Sequence, residues 1–251
     1  MPENENLLKK RIVELGERSY RNNQYLFTSF LSPAELSDCA QVLEKNRISY
    51  QSFGGTELAE REVIRFGSVE EFGYEMEYPI SCIIIEPNLE KFAEELNHRD
   101  YLGSILNLGI ERDVIGDIYI KGKIGYVMCL SKIADYIVQN LVKIKHTYVK
   151  CKVADEMPEA LKPKFENTTV SAGSERCDMI LAKLYHISRT EAVSLFREKK
   201  IFINGRVVEN NSKSLKEGDI ISARGYGKFV YLGVLGVNKK EKLRVSIDRY
   251  I

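Results

Sequence analysis

The run YPISCIIIEP at residues 78–87 constrains this chain more than any other stretch. It is apolar, rich in β-branched residues and closed by a proline, so it reads as a buried strand. Neighbouring segments must cover such a strand. NLEKFAEELN (88–97) reads as helical, with Leu89, Phe92, Ala93 and Leu96 on one face. YLGSILNLGI (101–110) continues as a second helical piece. VIGDIYI and IGYVMCL flank KGK (121–123) and read as a β-hairpin. SKIADYIVQNLVKI, opened by Ser131, is a helix, and TYVKCKVA is a last strand. The order β-α-β-β-α-β is that of a ferredoxin-like split βαβ sandwich over residues 76–155.

Upstream, residues 5–20 place Leu8, Ile12 and Leu15 on one helical face. SPAEL (32–36) is a helix start with Ser32 as cap, Pro33 in the first turn and Glu35 completing a capping box. SYQSFGG and EVIRFGS suggest short strands around a Gly-Gly turn. Residues 1–75 thus form an N-terminal α+β domain. Residues 156–173, with two prolines and mixed charge near their start, read as a linker. Residues 174–251 form a third domain, so the expected fold class is α+β in three small domains.

Charge separates these parts. The net charge is +1, but residues 1–170 hold 21 Lys and Arg against 27 Asp and Glu, whereas residues 171–251 hold 16 against 9. A basic C-terminal third suggests a polyanion-binding module. Five scattered cysteines without a CxxC, and three scattered histidines, point to reduced thiols and to no metal site. No signal-peptide layout or bilayer-length apolar run is visible, so the expectation is a cytoplasmic protein with no membrane partner. No Walker loop, nucleophile elbow or GxGxxG occurs; RGYGKF is a weak dinucleotide signal. The expectation is no enzyme, no catalytic residue and no cofactor.

The central topology also serves the RNA-recognition motif, which stacks bases on aromatics of two central strands. Here Gly125, Tyr126 and Val127 match its G-[FY]-V core. Ile124, Cys129, Cys82 and Ile83 stand where further rings would be useful. One ring favours a structural or protein-binding sheet over base stacking. Tyr126, with Arg99 and Lys228, is kept as a secondary RNA contact.

The basic third has a clear local grammar. Cys177, Ile180, Leu181 and Leu184 share a helix face. SRTE (188–191) is a capping box opening a second helix, with Ala192, Val193 and Phe196 on its inner side. Arg189 and Arg197 lie ~80° apart at the edge of that stripe, away from Glu191 and Glu198. IFING runs into an Asn204-Gly205 turn from which RVV returns. The segments RCD (176–178), ISRTEA (187–192), KKIFINGRVV (199–208), EGDII (217–221) and RGYGKF (224–229) resemble the S4 RNA-binding domain. FGGTELAERE (53–62) and HRDYLGSILNLGIERDVIGDIYI (98–120) extend the resemblance to the YlmH family of bacterial RNA-binding proteins.

The resemblance implies an RNA surface at Arg176, Asp178, Arg189, Thr190, Arg197, Lys199, Lys200, Asn204 and Arg206, with Asp178 orienting an arginine or capping the fold. Two departures stand out. Cys177 replaces a usual leucine. Lys199 replaces a common glycine, at a cost of ~1 kcal/mol if the backbone there is left-handed. The resemblance further implies a monomer that binds ribosomal RNA and tRNA on the large ribosomal subunit during quality control. A link to cell division has also been attached to the family, without direct support in the sequence. The rivals are an RNA-modifying enzyme of the pseudouridine-synthase kind and a protein-interaction adaptor working through the acidic N-terminal body. The HRD triplet (98–100) resembles catalytic motifs but lacks their partners, and reads as a helix-start cluster. Asp117 reads as a turn residue.

Overall fold

A computed structural model describes residues 2–57, 59–238 and 240–251, without the side chains of residues 2–5 and Arg206. It divides into two units, Met1–Lys162 and Pro163–Ile251. Each is a mixture of helices and antiparallel sheet, as an α+β chain should be.

The first unit begins with α1 (Pro2–Asn22), β1 (Leu26–Phe27), α2 (Pro33–Lys45), β2 (Gln51–Phe53), β3 (Val63–Phe66) and the short α3 (Val69–Phe72). The strands form a small sheet ordered β1-β3-β2. The capping box of α2 closes as its sequence requires: Ser32 N donates to Glu35 Oε2 at 2.7 Å, and Glu35 N to Ser32 Oγ at 3.4 Å. Ile12, Leu36, Cys39, Leu43, Ile64 and Phe66 fill the core beneath.

The chain continues through β4 (Ile80–Pro87), α4 (His98–Leu106), β5 (Ile115–Lys121), β6 (Ile124–Leu130), α5 (Ala134–Asn140), β7 (Lys143–Ile144) and β8 (Thr147–Val153). The sheet order β5-β6-β4-β8-β7 is the ferredoxin-like order with one short edge strand added. Ile83, Ile85, Val127 and Gly125 face the helices, where Gly125 gives way to the ring of Tyr101 from α4. Phe30 and Val63, from the N-terminal segment, belong to this same core.

The helix expected over 88–97 is absent. Only a 3₁₀ turn, Glu90–Phe92, forms there, and Leu89 and Phe92 are exposed. The segment is tied to the sheet instead: Asn88 N donates to Tyr148 O (2.9 Å) and Glu94 N to Thr147 Oγ1 (3.1 Å). The helix starts later, where Asn97 Oδ1 accepts from Arg99 N and Asp100 N, and Asp100 Oδ2 accepts from Asn97 N. That capping box outcompetes a start at Asn88, and it accounts for the HRD triplet.

The second unit runs β9 (Phe165–Ala172), α6 (Cys177–Leu184), α7 (Arg189–Arg197), β10 (Ile201–Ile203), β11 (Arg206–Val207), β12 (Ile220–Ala223), β13 (Gly227–Val237) and β14 (Leu243–Tyr250). Its sheet is ordered β11-β10-β12-β13-β14-β9. The linker expected over 156–173 is therefore largely a strand, β9, paired along its whole length with β14. The prolines that suggested a linker stop at Pro163; the β-branched run at 168–170 supplies the strand. One face of this sheet packs on α6 and α7 around Ile180, Leu181, Phe196, Ile221, Phe229 and Tyr231.

Candidate nucleic-acid interface

Two helix starts and one hairpin define the basic face of the second unit. Arg176 sits at the cap position of α6, its backbone bridged to Ser214. Asp178, two residues on, is fully buried. Its carboxylate accepts from Arg176 Nε (3.0 Å) and Nη2 (2.8 Å) and from Asn211 Nδ2 (3.1 Å), with Arg189 Nε 3.6 Å away. Burial alone would raise the Asp178 pKa. The Arg176 and Asn211 hydrogen bonds, with the charges of Arg176 and Arg189, outweigh burial and hold it below the usual carboxylate range. One buried anion thus fixes two guanidiniums from different helices side by side. Arg189 keeps 61% of its side chain in solvent, where its remaining donors face water or a ligand.

The expected site residues fall into three groups. Arg176 and Arg189 meet at Asp178, and Thr190 is exposed beside Arg189 in the first turn of α7. Arg197 is exposed at the far end of α7, with no ion pair among the described residues. Lys199 and Lys200 come next and are partly neutralised, Lys199 by Glu209 (3.3 Å) and Lys200 by Glu198 (2.6 Å). Asn204 uses its side-chain amide within the fold. Its Nδ2 donates to Asp219 Oδ1 (2.8 Å), and its Oδ1 accepts from Ile220 N (2.9 Å), so the amide is spent on closing the hairpin. The turn itself is as expected, with Asn204 (φ 51°) and Gly205 (φ 76°) both left-handed. The Arg206 side chain lies outside the described residues.

Half of the SRTE capping box forms. Ser188 Oγ accepts from Glu191 N (3.1 Å), while the Glu191 carboxylate turns away and accepts from the Tyr226 hydroxyl (2.8 Å). That draws the charge of Glu191 into a contact with the RGYGKF turn. Lys199 is left-handed (φ 54°), as its substitution for glycine suggested. Cys177 is buried, and burial pushes its thiol up to about 12, which fits a packing role.

Two cations were not singled out from sequence. Lys213 is exposed next to the Arg176 bridge, where its carbonyl accepts from Cys177 N (2.9 Å). Arg224 lies over the Phe202 ring at 4.8 Å, and its N–H donates to Lys200 O. The basic letters were visible; their position depends on backbone bonds between residues 24 and 36 apart.

In the first unit, Tyr126 cannot stack a base as RNA-recognition motifs do. It is 7% exposed, on the sheet face opposite the helices. One end of that face is covered by the Gly54-Gly55 turn: a Cβ on Gly55 would lie 2.9 Å from Met128 Sδ, and Thr56 Oγ1 is 3.0 Å from the Tyr119 hydroxyl. Arg99 is exposed in the first turn of α4. In the second unit, the Lys228 ammonium sits 5.2 Å from the Tyr250 ring. Asp117 Oδ2 accepts from Glu60 N (2.6 Å) and Arg61 N (3.0 Å), so it anchors a loop. Among the described residues, no group of three His, Cys, Asp or Glu could hold a metal, and no helix is long and apolar enough to cross a membrane.

Comparison with known proteins fits this geometry. Residues 74–157 match the family model described as "Putative RNA-binding domain in YlmH", and residues 175–221 match the S4 domain. The chain is 27% identical over 243 residues to "Ribosome-associated protein quality control protein P2" of Bacillus subtilis, covering 96% of this chain and 91% of that protein. A solved structure, "Cell division protein ylmH from Streptococcus pneumoniae", aligns with a TM-score of 0.47 at 21% identity, over 60% of this chain and 91% of that one. The S4 match spans the Asp178 cluster and the hairpin, and the other match spans the ferredoxin-like sheet. With both matches in this order, the chain is similar to the YlmH family of RNA-binding proteins.

Proposed function

We propose that this protein binds ribosomal RNA and tRNA on the large ribosomal subunit, without catalysing a reaction, in ribosome-associated quality control in the cytoplasm. The single observation that carries this reading is the buried Asp178, which presents Arg176 and Arg189 as a preset pair at two helix starts. Arginine forks fit phosphate oxygens bidentately. The first N–H groups of α7 favour an anion there, whereas those of α6 are taken by Lys213 O and Asn211 O. Folded RNA is recognised largely through phosphates, 2′-hydroxyls and shape, which suits a fixed cationic ridge more than a pocket. The relative from Bacillus subtilis, named for ribosome-associated quality control, supplies the setting.

The test is sedimentation through a sucrose gradient. The protein co-migrates with large subunits, and Arg189→Gln combined with Arg197→Gln shifts it to the top of the gradient. Both side chains are exposed, and Asp178 keeps its hydrogen bonds from Arg176 and Asn211, so the variant stays folded. Raising salt from ~50 to ~200 mM releases the parent protein in the same way. Co-migration of the double variant at parental level would remove the S4 face from the contact.

A further inference from the structure

The first unit carries an excess of acid as a whole, yet residues 121–152 hold seven lysines and one acidic residue, Asp135. The fold gathers four of these lysines onto one surface. Cross-strand partners point to the same side of a sheet, and residues two apart share a face. Lys143 pairs with Tyr148, Lys150 with Glu86, and Lys152 with Ile84. Ile84 pairs with Tyr126 and Tyr126 with Tyr119, and Lys121 is two residues beyond Tyr119. Lys121, Lys143, Lys150 and Lys152 therefore share the sheet face opposite the helices. Lys143, Lys150 and Lys152 lie on its β8–β7 side, away from the Met128 and Tyr119 contacts of the Gly54-Gly55 turn, and Lys121 lies on the opposite edge strand, β5.

All four lysines are exposed. Among the described residues, Glu86 forms an ion pair with Lys150 (3.2 Å). Tyr148 lies among them with 61% exposure, and the Lys143 ammonium is 5.1 Å from its ring centroid. Phe92, in the loop tied to β8, is a second exposed ring.

We propose that this half of the sheet, centred on Lys143, Tyr148, Lys150 and Lys152, is a second RNA site that takes a single-stranded segment. The lysines stand ~6.6–6.8 Å apart along β8, two residues per step, as a row of point charges for successive phosphates. Tyr148 offers a face to a base, and every base has a π-face, so the site is tolerant of sequence. An RNA-recognition motif stacks bases on its central strands; here those strands are covered or apolar, and the site moves to the β8–β7 side. The inference deepens the RNA-binding reading above and names a surface independent of the S4 face.

The probe is a labelled oligouridylate bound to the full chain. Lys143→Gln, Lys150→Gln and Lys152→Gln together weaken binding at least about tenfold at moderate salt. They also lower the slope of log K against log salt by ~2, since each lost phosphate contact on a single strand removes ~0.7. Tyr148→Ala weakens binding about tenfold with the slope kept, as loss of stacking requires. An unchanged affinity and slope in the triple variant overturns the proposal. Loss of all oligouridylate binding in the Arg189→Gln, Arg197→Gln variant does so too, because the S4 face would then hold the strand. Polyglutamate binding as tightly as the RNA, with Tyr148→Ala without effect, would assign the patch to acidic protein. The S4 reading stands or falls separately, on subunit co-migration of the S4 variant.

Discussion

The two basic surfaces of this molecule are built on different principles. On the S4 face, arginines from two helix starts converge on one buried carboxylate, Asp178, and their positions are set before any ligand arrives. On the sheet face of the first unit, lysines stand on neighbouring strands, exposed, with Glu86 paired to one of them, Lys150. The first arrangement spends stability on geometry, because a buried charge must stay paired. The second spends little and specifies little, because an exposed ammonium on a long stem is a mobile point charge. A preset pair suits a folded RNA of fixed shape. A row of lysines with a ring suits a strand that adapts.

The largest effect that separates the two should come from Arg176→Ala. It removes two hydrogen bonds to Asp178 and leaves the buried carboxylate with Asn211 and the more distant Arg189. Breaking a fully buried pair costs about 3–5 kcal/mol. Arg176 is partly exposed, and two partners remain, so ~2–3 kcal/mol is expected from urea unfolding of the full chain. No single lysine of the sheet face should cost more than ~0.5 kcal/mol when changed to glutamine.

The pH dependence has a defined sign. Asp178 has a folded pKa below its unfolded value. Its contribution is therefore present above the ordinary carboxylate range and lost only as pH falls through the depressed folded value. In Arg176→Ala the burial effect gains weight, the folded pKa rises, and the loss on acidification begins at a higher pH. An acid-unfolding midpoint identical in the two proteins would break the claim that Arg176 holds Asp178 ionised.

The next effect tests why the two surfaces are where they are. Gly55 has φ +94° and packs against Met128 and Ile80 on the sheet. Gly55→Ala adds a left-handed strain of ~1 kcal/mol and a methyl in a filled contact. A loss of ~1–3 kcal/mol is expected, with faster hydrogen exchange in residues 119–130. If neither changes, the turn does not seal that end of the sheet, and the restriction of the lysine site to its other side loses its reason.

Those residues also mark what could be read from sequence. Strands with strong apolar runs, the hairpin turns and the Ser32 cap are local features, and each formed as its residues require. The S4 helices were legible for the same reason. Contacts between distant segments were not. Nothing near Tyr126 announces that a Gly-Gly turn 70 residues earlier covers part of its face. Nothing near Asp178 announces Asn211. The stretch 88–97 has helical spacing, but a better cap at Asn97 and backbone bonds to β8 win. The strand 165–172 was hidden by prolines that belong to the segment before it, and its partner β14 lies nearly 80 residues on. Asn204 was legible as a turn residue, but its partner Asp219 was not, because it comes from another loop.

The smallest effect concerns Lys199. Both S4 helices end in the same backbone motif. After α6, Ile187 N donates to Ala182 O with His186 left-handed; after α7, Lys200 N donates to Leu195 O and Lys199 N to Phe196 O with Lys199 left-handed. This six-to-one closure favours glycine at the left-handed position. At α7 the chain has lysine, whose ammonium reaches Glu209 at 3.3 Å in solvent. An exposed pair of that kind returns little, so Lys199→Gly should stabilise the protein by about 0.5–1 kcal/mol, less the entropy cost of ordering glycine. Subunit binding reads out the other half of the exchange. If Lys199 meets phosphate, the glycine variant is more stable yet releases at lower salt, with the salt slope reduced by about 1. Greater stability with an unchanged slope would remove Lys199 from the RNA surface and leave Arg176, Arg189 and Arg197 as its frame.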